Sequence, residues 1–349
     1  MARRSDKFRS VDTRVRNFSR NLAGLVLVTS LIAGASSAGA TTSSPSPTVA
    51  SVTADINSFA AQMARPGYVS YATAASVKQY VADHGTDHVS FACLSDFPVT
   101  SGSTPSCVLG SLTSKVNVVL YGDSHAWQWA GALNNIALAH GWKLSVFSKA
   151  SCQPEVVTPM QYANGMLVPY PACGSWRSSA LIAIAALKPK FIFFSEFTAG
   201  TTPSLPVAIA SLASTLTTAV GGDPKHVVWI RSTPLMAMSS GVSLTSCLAH
   251  NNYRATANAA PTSRCFMTYG TAMNAPSHLD LVANQEAAAA TSAGLTIIDP
   301  MPWLCQTTSL TGYCPPVILG HGPYFDAFHI ANSFAQFMAP LVNALIPVK

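Results

Sequence analysis

The sequence predicts a three-layer α/β/α domain around a parallel five-stranded sheet, preceded by an N-terminal addition and trimmed with disulfide-pinned loops. Three observations carry that expectation. From Lys115 onward, short apolar runs alternate with alanine-rich stretches, the pattern of strands covered on both faces by helices. The chain has 349 residues, of which 49% are hydrophobic and 10% charged, so it can bury a core and does not have a disordered composition. Its eight cysteines are even in number and none shows C-x-x-C spacing, which favours structural disulfides over a zinc or redox motif.

The front of the chain reads as an export signal. Residues 1–40 carry Arg3, Arg4, Lys7, Arg9, Arg14, Arg16 and Arg20 against Asp6 and Asp12, so +5 of the formal charge of +6 lies there and +1 is left for the rest. A near-neutral body offers no basic stripe, and nucleic acid is set aside as a partner. The basic stretch runs into Leu22–Ala33 and then into Ala38-Gly39-Ala40, the order of a signal peptide cleaved after Ala40. The apolar run is shorter than the ~20 residues that span a bilayer. The alternative is an uncleaved anchor, whose product would still face outward. The chain is therefore expected to be secreted or associated with the cell envelope.

Residues 41–50, rich in Ser, Thr and Pro, read as a linker. Residues 51–110 form the N-terminal addition, with helices expected near 54–64 and 75–82. The main domain takes residues 111–349. Its strands are expected at Val116–Tyr121, Leu144–Phe147, Phe191–Phe194, Val227–Ile230 and Leu295–Ile298. Helices are expected at Trp127–His140, Arg177–Leu187, Val207–Val220, Leu281–Ala293 and Ser333–Leu345. That alternation is flavodoxin-like. The stretch Thr233–Pro276 exceeds an ordinary connection and reads as a wall of the site. Eight cysteines allow 105 pairings. The sequential couples Cys93–Cys107, Cys152–Cys173, Cys247–Cys265 and Cys305–Cys314 are the favoured set, with a longer-range pair as the alternative.

In doubly wound sheets ligands sit beyond the carboxyl ends of the strands. The first strand ends in Tyr121-Gly122-Asp123-Ser124-His125-Ala126 and leads into a helix. Gly122 permits a sharp turn, Asp123 suits a helix start, and Ser124 is placed as a nucleophile. A serine needs an oriented base. Asp326-Ala327-Phe328-His329, just before the last helix, supplies one, with Asp326 able to bond Nδ1 and leave Nε2 facing Ser124. Each segment alone also has a bland reading, Ser124 as a helix cap and Asp326 to His329 as a surface turn. Their joint placement at one sheet edge favours function.

These blocks resemble the first and last motifs of SGNH (GDSL-like) hydrolases. The likeness is nearest to the SGNH domain fused to membrane acyltransferases that O-acetylate bacterial surface polysaccharides, and it runs from about Cys93 to the C-terminus. It includes Lys149-Ala150-Ser151-Cys152, Thr233-Pro234, Ser246-Cys247-Leu248-Ala249-His250 and Trp303-Leu304-Cys305. The resemblance implies Ser124 as nucleophile, His329 as general base and Asp326 as its orienter. It implies an ester-directed hydrolase or O-acyltransferase with no cofactor and no metal. Its partners would be an acylated or acceptor carbohydrate and, as acyl donor, a separate membrane acyltransferase or a preformed ester. The sequence departs from the family where a glycine and an asparagine usually supply oxyanion donors; Ala150-Ser151-Cys152 and Ser195-Glu196-Phe197-Thr198 stand there. Gly122, Asp123, Ser151 and Ser195 are the expected elbow and oxyanion group.

His125, next to the nucleophile, reads as packing. Trp127 and Glu196 are candidates for substrate contact, with core packing as the alternative for Trp127 and Trp129. An α/β-hydrolase reading fits poorly because Asp326 lies only three residues from His329. A metallophosphoesterase reading lacks ligand clusters at other strand ends. A carbohydrate-binding module that kept the fold and lost turnover is the strongest rival of another class, supported by the missing asparagine.

Overall fold

Strand register and helix packing follow from which residues are apolar on which face. The computed structural model describes residues 54, 86–155, 158–163, 166–198, 205–236, 267–268, 279–305, 313–314, 318 and 321–348. The expected signal peptide and linker, the helices expected at 54–64 and 75–82 apart from residue 54, and the Cys247–Cys265 loop lie outside them. Residues 46–349 group as one compact unit.

The main sheet contains β1 (Cys107–Gly110), β2 (Asn117–Gly122), β3 (Lys143–Ser148), β6 (Phe191–Ser195), β7 (Val227–Ile230) and β9 (Thr296–Ile298). Two short ladders lie outside it: β4 (Met160–Ala163) with β5 (Met166–Pro169), and β8 (Met267–Thr268) with β10 (Tyr313–Cys314). The strand order is β1-β3-β2-β6-β7-β9, with β2, β3, β6, β7 and β9 parallel and β1 antiparallel on β3. The five parallel strands are the five expected from the sequence. The sixth, β1, falls in the stretch read as the N-terminal addition. As an edge strand with Val108 exposed, it lacks the continuous apolar run by which the other five are legible.

Alternation along each strand sorts the core into two layers. Val118, Leu120, Leu144, Val146, Phe193 and Val228 face a cluster that includes Leu133 and Ile136 of α2 (Ala130–His140) and Phe334, Met338 and Val342 of α7 (Asn332–Ala344). Val119, Tyr121, Phe147, Ile192, Phe194 and Trp229 face the other way. There they meet Trp176 and Ile184 of α3 (Pro171–Leu187), Leu212 and Leu216 of α4 (Leu205–Ala219) and Ala290 of α5 (Leu279–Ser292). Both faces are thus covered, which gives the three layers. A short helix, α1 (Ser124–Trp127), precedes α2, so the helix expected at Trp127–His140 is two pieces that begin at the serine itself. A last short helix, α6 (Met301–Leu304), follows β9.

Among the described residues, disulfides join Cys93 to Cys107, Cys152 to Cys173 and Cys305 to Cys314. The first ties the 3-10 turn Phe91–Cys93 to β1. No helix among the described residues is long and apolar enough to cross a membrane.

Candidate active site

The parallel register brings three strand ends level, because Gly122 pairs with Ser148 of β3 on one side and with Ser195 of β6 on the other. At Gly122 the backbone turns with φ +146°, and a Cβ there would run into the Ser195 carbonyl oxygen and the Ala126 methyl group. Only glycine fits, and the chain can leave β2 abruptly and start α1 two residues later. Asp123 caps that helix. One carboxylate oxygen accepts from His125 N–H at 2.7 Å, and the other accepts from Phe197 N–H at 2.8 Å, just past the end of β6. The elbow is therefore fastened to the neighbouring strand's exit. Burial raises the Asp123 carboxyl to about 7, even though those two N–H groups and His329 favour the carboxylate.

Ser124 Oγ lies 2.8 Å from His329 Nε2, across 205 residues of sequence. His329 Nδ1 lies 2.8 Å from Asp326 Oδ2 and 3.0 Å from Oδ1. Asp326 Oδ1 also accepts from the backbone N–H of Phe328 and of His329, each at 2.7 Å, so the aspartate folds its own turn around itself. Burial works to raise this carboxyl's pKa, but the His329 side chain and the two N–H groups outweigh it and hold it below the ordinary carboxylate range. The turn is closed by a bridge between Tyr324 and Ile330 and by Phe325 N–H donating to the His329 carbonyl. It is anchored to the segment after β7, where Met236 N–H donates to the Ala327 carbonyl at 2.8 Å.

The His329 ring sits among aromatic groups. Phe325 stacks beside it at 5.5 Å, Trp127 presents an edge at 6.1 Å, and the His125 ring is 5.2 Å away. His125 is buried, and burial, followed by the nearby His329, pushes its pKa well below the usual imidazole range, so it is uncharged. Two imidazoles therefore lie side by side, but only His329 has both the serine and the carboxylate.

The remaining expected site residues divide. Ser151 stands on the turn after β3 with φ +52°, a left-handed conformation uncommon for a side chain larger than glycine, and it is exposed. The Ser195 hydroxyl is sealed from solvent and has no hydrogen-bond partner among the described residues. Trp127 is 1% exposed, with Nε1 donating to the Ser90 carbonyl and its ring stacked under the exposed Phe91 at 5.1 Å. Glu196 is 0% exposed. Neither side chain presents a face to solvent, so both are packed in where the sequence offered them as candidates for substrate contact. The packing that makes them core is set by residues far along the chain.

Sequence reasoning missed what surrounds Glu196. Burial, then the charges of Glu155, Glu286 and Asp123, raise its carboxyl well above the ordinary range. Glu286 is pushed up to about 8 by burial, although Thr198 Oγ1 donates to it at 2.7 Å. Four acids thus converge at the elbow, Asp123 and Glu196 from the exits of β2 and β6, Glu155 from the segment after β3 and Glu286 from α5, with no spacing in the sequence to announce it. Among the described residues, no group of three or more His, Cys, Asp or Glu side chains is placed to share a metal ion.

A family model described as "SGNH domain (fused to AT3 domains)" matches residues 92–344. Among solved structures, the chain is similar to the periplasmic domain of a lipopolysaccharide acetyltransferase from Salmonella ser. Paratyphi A. The two share 13% identity at a TM-score of 0.49, over 86% of this chain and 100% of that one. No curated protein matches the chain.

Proposed function

The chain belongs to the SGNH-domain family, and on that premise we propose that it is a serine-dependent esterase or O-acyltransferase acting on acyl, chiefly acetyl, esters of cell-surface carbohydrate. The observation that carries this reading is the unbroken chain of contacts from Ser124 Oγ to His329 Nε2 and from His329 Nδ1 to Asp326, each 2.8 Å long at its closest.

The chemistry follows from that order. His329 Nε2 takes the Ser124 proton as Oγ attacks the acyl carbonyl carbon, and Asp326 fixes the tautomer and steadies the imidazolium that forms. The imidazolium then returns its proton to the departing alcohol, leaving an acyl group on Ser124. Water or a sugar hydroxyl, activated by the same imidazole, takes the acyl group and restores the serine. The backbone N–H groups of Ser124 and of Ser151, on its left-handed turn, are assigned to the oxyanion. Each such donor is worth about 3 kcal/mol in the transition state. Ser195, sealed beside Gly122, supports the elbow rather than touching the ligand.

The reading places the domain outside the cytoplasm. The basic and apolar front of the chain acts as the export signal, cleaved after Ala40, followed by a linker over 41–50, and residues 51–110 precede the SGNH-like domain over 111–349. The acyl group comes from a separate membrane acyltransferase or from a preformed ester.

Incubation with acetylated polysaccharide, following acetate release against transfer to an unlabelled acceptor glycan, separates the outcomes. Turnover by either route that is lost in Ser124→Ala supports the enzyme. Saturable glycan binding with no turnover, unchanged in Ser124→Ala, means a binding module instead.

A further inference from the structure

The triad joins two segments whose relative position must be held to a fraction of an ångström, yet the turn that carries His329 is exposed at Phe328 and half-buried at Asp326. One buried side chain spans the junction. Gln128 is the residue that follows α1, four positions after Ser124, and its backbone N–H donates to the Ser124 carbonyl at 3.1 Å. Its side-chain Oε1 accepts from the backbone N–H of Ile330, the residue after His329, at 2.8 Å. The amide is 1% exposed, and its other end, Nε2, donates to Thr233 Oγ1 at 3.3 Å, in the segment after β7. Thr233 Oγ1 in turn lies 3.5 Å from His125 Nδ1.

We propose that Gln128 is the positioning residue of this site, a single side chain that sets the distance between the nucleophile's helix and the base's turn. The proposal rests on the esterase or transferase reading for its kinetic consequence, but its structural content is independent of it. The direction of the amide is forced. A backbone N–H can only donate, so Oε1 must face Ile330 and Nε2 must face Thr233. The threonine hydroxyl, having accepted from Nε2, keeps its own proton and lies within reach of His125 Nδ1. Removing the amide leaves the Ile330 N–H buried without its acceptor, and the cheapest relief is for that turn to shift and seek water. Any such shift carries His329 with it, because Ile330 and His329 are adjacent. The Asp326–His329 contact would survive, since both residues belong to the same turn. The Ser124–His329 contact would not. Misplacement of about 1 Å at a reacting group costs on the order of a hundredfold in rate.

The test uses three variants of the full chain. Gln128→Met keeps the volume and removes both polar ends, Gln128→Glu keeps an acceptor for Ile330, and Thr233→Val removes only the far partner. Two readings are taken on each: the rate of phosphonylation of Ser124 by an organophosphonate, and the His329 ring nitrogen resonances by long-range proton–nitrogen NMR. Gln128→Met is expected to lower the phosphonylation rate about tenfold to a hundredfold and to shift the His329 Nε2 resonance while leaving Nδ1 near its wild-type value. In Gln128→Glu most of the rate should return. In Thr233→Val the rate should fall less than in Gln128→Met. A merely structural role predicts instead that rate loss tracks the fall in melting temperature across all three and that Glu does no better than Met. That result, or a His329 spectrum unmoved in Gln128→Met, would overturn the proposal. If wild-type Ser124 is not phosphonylated but Gln128→Met still displaces His329 Nε2 alone, the enzyme reading fails and the positioning role stands.

Discussion

At the scale of single residues, the site depends on side chains that each have more than one partner. Asp326 bonds the His329 ring and two backbone N–H groups, so it both shapes the turn and orients the base. Asp326→Asn keeps the shape and can keep the turn's N–H contacts, but it no longer stabilises an imidazolium. Turnover should fall by roughly 10⁴-fold, with a modest fall in melting temperature as the lowered carboxyl's contribution is lost, measured by ester hydrolysis beside a thermal melt. Gly122 has no tolerated replacement, since a Cβ meets the Ser195 carbonyl oxygen. Gly122→Ala should therefore lower stability by about 1–3 kcal/mol or more, read from denaturant unfolding, and abolish turnover in whatever fraction folds.

Among the secondary-structure elements, what the sequence made legible depended on burial. The five parallel strands are covered on both faces and show as apolar runs; β1 at the edge is covered on one and does not. The catalytic candidates were legible because they fall in two short motifs at a strand's end and before a helix. Gln128 and the partners of Thr233 were not, because their hydrogen bonds join positions 105 and 202 residues apart and neither amide nor hydroxyl has a spacing rule. The burial of Trp127 and Glu196 was hidden for the same reason, since a strand-end acid and a tryptophan just past the elbow carry no mark of how deeply they sit. The Cys93–Cys107 bridge closes a 14-residue separation and holds the Phe91–Cys93 turn, whose Phe91 ring covers Trp127. Replacing both cysteines by serine should lower stability by about 3 kcal/mol, measured by urea unfolding under non-reducing conditions. It should also slow turnover through the loosened Trp127 edge against His329.

At the scale of the whole molecule, two buried carboxyl groups favour acid. Asp123 rises from 3.8 to about 7 and Glu286 from 4.5 to about 8, each chiefly through burial. Raised carboxyl groups bind more protons in the folded state than in the unfolded one. Their contribution is complete below the unfolded values and is lost as pH climbs through the folded ones. Asp326 works oppositely: its lowered value adds stability above about 4 that is lost as pH falls further. The melting temperature should thus peak on the acid side of neutral and decline between about pH 5 and pH 8. Glu286→Gln, which keeps an acceptor for Thr198, should flatten that decline and raise the melting temperature at pH 8.5. A scan of thermal melts across pH checks both.

Catalysis by this site depends on the imidazole of the last turn drawing the proton from the serine of the first elbow. Intact-mass spectrometry of the folded chain after treatment with an organophosphonate reads this directly, using wild type, Ser124→Ala and His329→Ala side by side. One phosphonyl adduct mapped to the peptide bearing Ser124, gone in the first variant and slowed at least a thousandfold in the second, is the expected result. Labelling that is absent from well-folded wild type, or that persists at full rate without His329, would contradict it.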